Sequence, residues 1–191
     1  MAAGSYSIIL ITTLLLASSI NLTTCKKTNN VEFIRTSCGF TTYPTLCFNS
    51  LSERAGAIQT SPKLLAQTAL SVTLDTTRTT SSSMVKLSKV HGMTPREVAA
   101  MKDCIEVLSD SVYELQRSLE EMVQPGSKDS RLVMSDIQTW VSSAITDEDT
   151  CSEGFKNDPK MKSVVRGKIV NVAHLTSNAL ALINSYASLS R

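Results

Sequence analysis

Aromatic side chains are scarce. Four Phe, four Tyr and one Trp make up 5% of the 191 residues. So few large rings, set among long stretches of helical apolar spacing, argue against a sandwich or barrel and for a bundle of helices. An excess of one charge is also missing, since 19 Lys and Arg against 17 Asp and Glu leave only +2. With no Lys/Arg-rich run and no aromatic stacking platform, nucleic acid is excluded as a partner. The two histidines, His91 and His174, stand far apart, and neither belongs to an H-E-x-x-H pattern. There is no G-x-S-x-G elbow, no G-x-G-x-x-G and no phosphate loop. There is no C-x-x-C, and the cysteine spacings fit no zinc site. The acidic run Asp147, Glu148, Asp149 lacks the spaced ligands and Gly of a calcium loop, and it reads as a solvated loop. No catalytic, metal or cofactor site is legible.

Residues 1–25 contain no charged side chain at all. Ile8 to Ala17 is a compact apolar core, too short for a comfortable membrane span and of the length expected for a secretory signal. Residues 1–25 are therefore read as a cleaved leader, with no membrane attachment afterwards, and 26–30 as a flexible tail. Cleavage is expected after Ser19 or after Cys25. Only the earlier cut keeps the Asn21-Leu22-Thr23 sequon. The later cut leaves Cys38, Cys47, Cys104 and Cys151, which permit three pairings. In an oxidising compartment, disulfides are their default state. Gly39 and Tyr43-Pro44 give the stretch between Cys38 and Cys47 the composition of a turn, which favours a local bridge. Cys104 with Cys151 would then tie two distant segments.

The periodic segments place the rest. Residues 31–54 read as a small helical hairpin ended by Gly56. Ser61-Pro62 opens a long helix to His91-Gly92, with Leu65, Val72, Thr76, Thr79, Ser83, Leu87 and Val90 inward. Its Ser/Thr tract, Thr76 to Ser83, resembles a linker when taken alone, but the period holds on both sides. Thr94-Pro95-Arg96-Glu97 is a capping box with proline at the first helical position. Val98, Met101, Ile105, Leu108, Val112, Leu115, Leu119 and Met122 then recur at alternating steps of three and four, until Pro125-Gly126 ends the run. A third stretch carries Met134, Ile137, Val141 and Ala144, with Trp140 alongside, and is interrupted by Asp147–Cys151. The last begins at Asp158-Pro159 and carries Val165, Ile169, Val172, Thr176, Ala179, Ile183 and Tyr186. Four such stretches with short connections predict an all-α, up-down-up-down four-helix bundle behind an N-terminal α-hairpin. Opposite the stripe of the Thr94–Val123 helix stand Glu106 and Asp110, one turn apart, with Asp103, Tyr113 and Arg117 on the same face. That face reads either as solvated or as a partner-binding surface.

Several segments resemble the plant invertase and pectin methylesterase inhibitor family. They are Cys38-Gly39-Phe40-Thr41-Thr42-Tyr43-Pro44-Thr45-Leu46-Cys47, Lys102-Asp103-Cys104-Ile105-Glu106, Thr139–Thr146 followed by Asp149-Thr150-Cys151-Ser152-Glu153-Gly154-Phe155, and Ser177–Ile183. The resemblance runs in order over nearly all of residues 31–191. It implies a bundle with bridges Cys38–Cys47 and Cys104–Cys151, a protein that is not an enzyme and needs no cofactor or metal, and a place in the apoplast or cell wall. It implies a 1:1 complex that covers the cleft of a pectin methylesterase. The family's contacting positions fall on Glu106, Asp110, Tyr113, Thr150 and Glu153, and Tyr113 departs from the acidic residue usual there. The invertase-inhibiting branch typically has Pro-Lys-Phe before its fourth cysteine, and none occurs between Pro125 and Cys151. Inhibition of an acid invertase and a non-inhibitory pectin-binding bundle are the alternatives. The slightly basic balance would permit weak contact with acidic pectin.

Overall fold

A computed structural model of the chain describes residues 28–124, 130–155, 157 and 159–189. The expected leader, its cleavage sites and sequon, Pro125-Gly126 and the Asp158 cap lie outside the described residues. Helix α1 spans 28–38, and a turn leads to α2, Pro44–Leu51. The Cys38–Cys47 disulfide closes the hairpin. α1 takes in part of the expected tail, and Asn30 is buried. The hairpin does not stop at Gly56. A 3-10 turn, Ser52–Arg54, and α3, Ala55–Ile58, carry it on, and Gln59 with φ 55° reverses the chain. Ala55 and Ile58 are buried, and that packing outweighs the weak helix propensity of the glycine between them.

The bundle consists of α4 (Pro62–Leu87), α5 (Pro95–Val123), α6 (Ser130–Glu153) and α7 (Pro159–Leu189). Contacts run in the cyclic order α4–α5–α6–α7 and back to α4, and the hairpin covers one end of α4 and α7. Asn178 fixes it there. The Tyr43 N–H donates to Asn178 Oδ1 at 3.0 Å, and Asn178 Nδ2 donates to the Tyr43 carbonyl at 3.0 Å.

α4 starts as expected, with Ser61 Oγ accepting from the Leu64 N–H. Its buried series is Leu65, Ala66, Ala69, Leu70, Thr73, Leu74, Thr77, Thr80 and Met84. Of the expected inward positions, Thr79 and Val90 are exposed, while Val72, which packs against the core, Thr76 and Ser83 are only half-buried at its edge. The register turns on Leu70, Leu74 and Met84, the larger apolar groups, which the heptad reading passed over. The Ser/Thr tract is helical. Thr73, Thr76, Thr77, Thr79, Ser82 and Ser83 each donate a hydroxyl to the carbonyl four residues earlier, and for the two that are buried, Thr73 and Thr77, this removes most of the cost of burial. α4 ends at Leu87, so His91 is an exposed turn residue rather than part of its last turn, and Gly92 adopts φ 95° in that turn.

α5 matches its expected bounds, and the Thr94–Glu97 capping box is formed in both directions. Met101, Leu108, Leu115 and Met122 are buried, whereas Val98 in the first turn is exposed. The alternate stripe positions, Ile105, Val112 and Leu119, are half-buried at its edge. α6 corrects a second expectation. It runs unbroken through Asp147–Cys151, so the acidic run is neither an interruption nor a solvated loop. Glu148 is fully buried. Ser111 Oγ of α5 donates to Glu148 Oε1 at 3.0 Å, and Thr176 Oγ1 of α7 lies 2.9 Å from the same oxygen. α7 buries Val165, Ile169, Val172, Thr176, Ala179 and Ile183 as expected. Among the described residues no helix is long and apolar enough to cross a membrane.

Candidate functional site

The Cys104–Cys151 bridge sets the geometry of one face. It joins α5 to the last turn of α6 with a Cα separation of 4.2 Å. Both cysteines are buried with Met84, Met101, Leu108, Phe155 and Val165 in the core cluster remote from the hairpin. Phe155, just past α6, anchors the helix end there. Glu106 and Thr150 flank the bridge, two residues after Cys104 and one before Cys151. Thr150 and Glu153 thus stand on the end of a helix rather than on a loop.

Glu106, Asp110 and Tyr113 all lie exposed along α5, and Tyr113 is 65% accessible. Arg117, one turn further, is not available to neutralise them. Its guanidinium lies 3.6 Å from Glu120, 3.9 Å from Glu121 and 5.5 Å from the Trp140 ring centre. That last contact, together with the influence of Asp110 on Asp147, shows that this stripe borders α6.

The seam between the two helices is acidic. Burial is the main reason that the Glu114 carboxyl titrates above the ordinary range. A hydrogen bond with Ser143 opposes the shift, and the Asp147 and Asp110 charges add to it. Burial likewise raises Asp147, against a hydrogen bond with Glu114 and with Asp110 adding. Asp110, Glu114 and Asp147 therefore form one negative cluster across α5 and α6. No cation pairs with Asp110 or Asp147 among the described residues. Sequence reasoning missed Glu114 and Asp147. The signal was present, because Glu114 follows Asp110 by four, and a helical reading of 147–151 puts Asp147 one turn before Thr150.

Glu153 stands apart from the α5 stripe. It lines an open groove of about 460 Å³ between α6 and α7, together with Asp149, Ser152, Arg166 and His174. Tyr43 closes the groove by stacking on His174, with ring centres 3.6 Å apart, so His174 is a packing residue. The Thr150 hydroxyl donates to the Thr146 carbonyl at 2.7 Å, which leaves its oxygen free to accept. No group of three or more His, Cys, Asp or Glu suited to a metal occurs among the described residues. The arrangement offers an exposed, mostly acidic surface with one large aromatic, held on two cross-linked helices. That is the chemistry of recognition, with charge to orient a partner and Tyr to anchor it.

Known proteins resemble this chain in sequence and in fold. The chain is 47% identical to pectinesterase inhibitor 10 of Arabidopsis thaliana over 83% of its own length and 52% of that protein's. It is 44% identical to pectinesterase inhibitor 11 of the same plant, over 82% of this chain and 81% of the relative. A crystal structure of a mutant pectin methylesterase inhibitor from Arabidopsis superposes with a TM-score of 0.64 at 22% identity, covering 77% of this chain and 92% of that one. The family model described as plant invertase/pectin methylesterase inhibitor matches residues 32–182, from α1 through most of α7. With both bridges and most of the hairpin and bundle inside that span, the chain belongs to the plant invertase/pectin methylesterase inhibitor family.

Proposed function

We propose that this protein is a secreted inhibitor of pectin methylesterase. It binds one esterase molecule and covers the cleft that admits methyl-esterified pectin. The observation that carries the reading is the exposed Glu106–Asp110–Tyr113 stripe of α5, continued by Asp147 and Thr150 of α6 across a disulfide-braced seam. Both relatives compared above are named as pectinesterase inhibitors, which favours the esterase over an invertase as target. The negative face calls for basic groups around the rim of the enzyme's cleft. Glu153, further round α6, adds a contact if the partner reaches the α6–α7 groove. The role is one of occlusion, and the chain supplies no catalytic group to it. The uncharged leader at residues 1–25 directs it to the cell wall, where the net charge of +2 gives a weak, salt-sensitive attraction to acidic pectin.

Gel filtration tests the partnership. An equimolar mixture with a plant pectin methylesterase is expected to elute as one species of summed mass. Separate peaks with every esterase tried, together with inhibition of sucrose cleavage by an acid invertase, would move the assignment to the invertase branch. Retention on de-esterified pectin that salt abolishes, without either enzyme complex, would favour a polysaccharide-binding bundle.

A further inference from the structure

Among the described residues Glu148 is the one acidic side chain that the bundle encloses completely, and a docking role does not use it. Its surroundings define its protonation state. Oε1 has two neighbours, Ser111 Oγ at 3.0 Å and Thr176 Oγ1 at 2.9 Å. Oε2 is buried and has no hydrogen-bond partner. Thr176 Oγ1 also lies 3.0 Å from the Val172 carbonyl oxygen. A threonine hydroxyl has one proton, and a carbonyl oxygen can only accept. If that proton goes to Val172, the Thr176 oxygen faces Glu148 as an acceptor and needs a proton from it. A neutral carboxyl supplies one and still accepts from Ser111. An ionised carboxyl would leave Oε2 charged and bare in the core, which is costly.

The charges around it favour the same state. On α6 itself, Asp147 and Asp149 flank Glu148, and both repel an ionised form. From α5 it is faced by the Ser111 hydroxyl, while Asp110 and Glu114 act on Asp147. From α7 it is faced by Thr176, and His174 is stacked on Tyr43 in the outer groove. Among the described residues no cation pairs with it. Burial, the largest cause, pushes its pKa up to about 8, even with both hydroxyls counted as donors to the ionised form, which would lower it.

We propose that Glu148 keeps its proton in the folded bundle and that this proton fastens α6 to α7, so that the inhibitor fold is a proton-linked assembly which weakens as the surrounding pH rises. The sign follows from linkage. The folded state holds a proton that the unfolded chain releases near the ordinary glutamate value of 4.5. The contribution is therefore complete below that value, declines as pH climbs towards about 8, and is lost above it. Mildly acidic surroundings suit the fold, and alkalinisation loosens the end of α6 that carries Thr150 and Glu153.

The test needs no esterase. Denaturant unfolding of the oxidised protein is followed by circular dichroism from pH 5 to pH 9, for wild type and Glu148→Gln. The wild-type folding constant is expected to fall by up to about tenfold per pH unit between pH 5 and pH 8 and then to level off. The Gln variant lacks an ionisable proton, so its curve loses most of that slope, and above pH 8 it is the more stable protein. Parallel curves for the two proteins would overturn the proposal. Carboxyl-carbon NMR of ¹³C-glutamate-labelled wild type gives an answer even where the variant folds poorly. One glutamate is expected to remain protonated at pH 7, and full ionisation of every glutamate by pH 6 would contradict the account.

Discussion

Glu106 and Asp110 stand one helical turn apart, and among the described residues neither forms a salt bridge. Like charges at that spacing cost an isolated helix about 0.2–0.5 kcal/mol. The unbalanced pair is accounted for if a partner supplies the missing positive charge. Changing both to Lys is expected to leave the far-ultraviolet spectrum intact, because both side chains point to solvent. It should weaken esterase inhibition by at least about tenfold, and more at low salt, where charge pairing across an interface is least screened. Unchanged inhibition by the folded double variant would return the pair to solvent. Tyr113 should separate binding from stability in the same way. Its ring is largely exposed, so Tyr113→Ala is expected to shift stability by no more than about 0.5 kcal/mol. If the ring anchors the complex, its loss should cost binding more than about 1 kcal/mol, read as a rise in the half-inhibitory concentration.

At the scale of the element, α5 is the member whose local sequence and tertiary packing agree most fully. The box Thr94–Glu97, the proline at the first position and the apolar period all place the same helix, and the structure has it at Pro95–Val123. Thr94→Ala removes the side-chain acceptor for the Glu97 N–H and is expected to cost about 1 kcal/mol in denaturant unfolding. The same helix forms the acidic seam with α6. Glu114 and Asp147 both titrate above their ordinary range, so their contribution to stability is present at low pH and declines as pH rises. Glu114→Gln should therefore flatten part of the stability profile on the acid side, leaving the portion that belongs to Glu148. α4 and α6 were less legible for physical reasons. In α4, Ser and Thr fill inward and outward positions alike, so the period survives while the register is lost until Leu70, Leu74 and Met84 are seen to share a side. In α6, three consecutive acidic residues suggest solvent, and only the Ser111 and Thr176 hydroxyls on neighbouring helices explain why Glu148 lies inside.

At the scale of the whole molecule, two disulfides act on very different lengths of chain. Cys38–Cys47 closes a sequence separation of 9, and Cys104–Cys151 one of 47. Restriction of the unfolded chain stabilises by about 2.5 kcal/mol in the first case and about 4 kcal/mol in the second. Replacing Cys104 and Cys151 together by Ala is thus expected to lower the melting temperature by on the order of 10 °C, and more than the same change at Cys38 and Cys47. Equal losses would mean that the long bridge does not constrain the chain as drawn. The bundle, the hairpin and the α5 stripe were legible because apolar period, prolines and cysteines are local features. The joining of α5 to α6 into one acidic face was only partly legible. Glu114 and Asp147 are far apart in sequence, and their shared environment arises only when the helices pack. Occlusion of a pectin methylesterase by this face has a direct readout. The most direct measurement is methanol release from methyl-esterified pectin by a plant pectin methylesterase, at mildly acidic pH, as the purified protein is titrated in. The account predicts that activity falls to near zero at about one inhibitor per enzyme, and full activity at a large excess across several plant isoforms would contradict it.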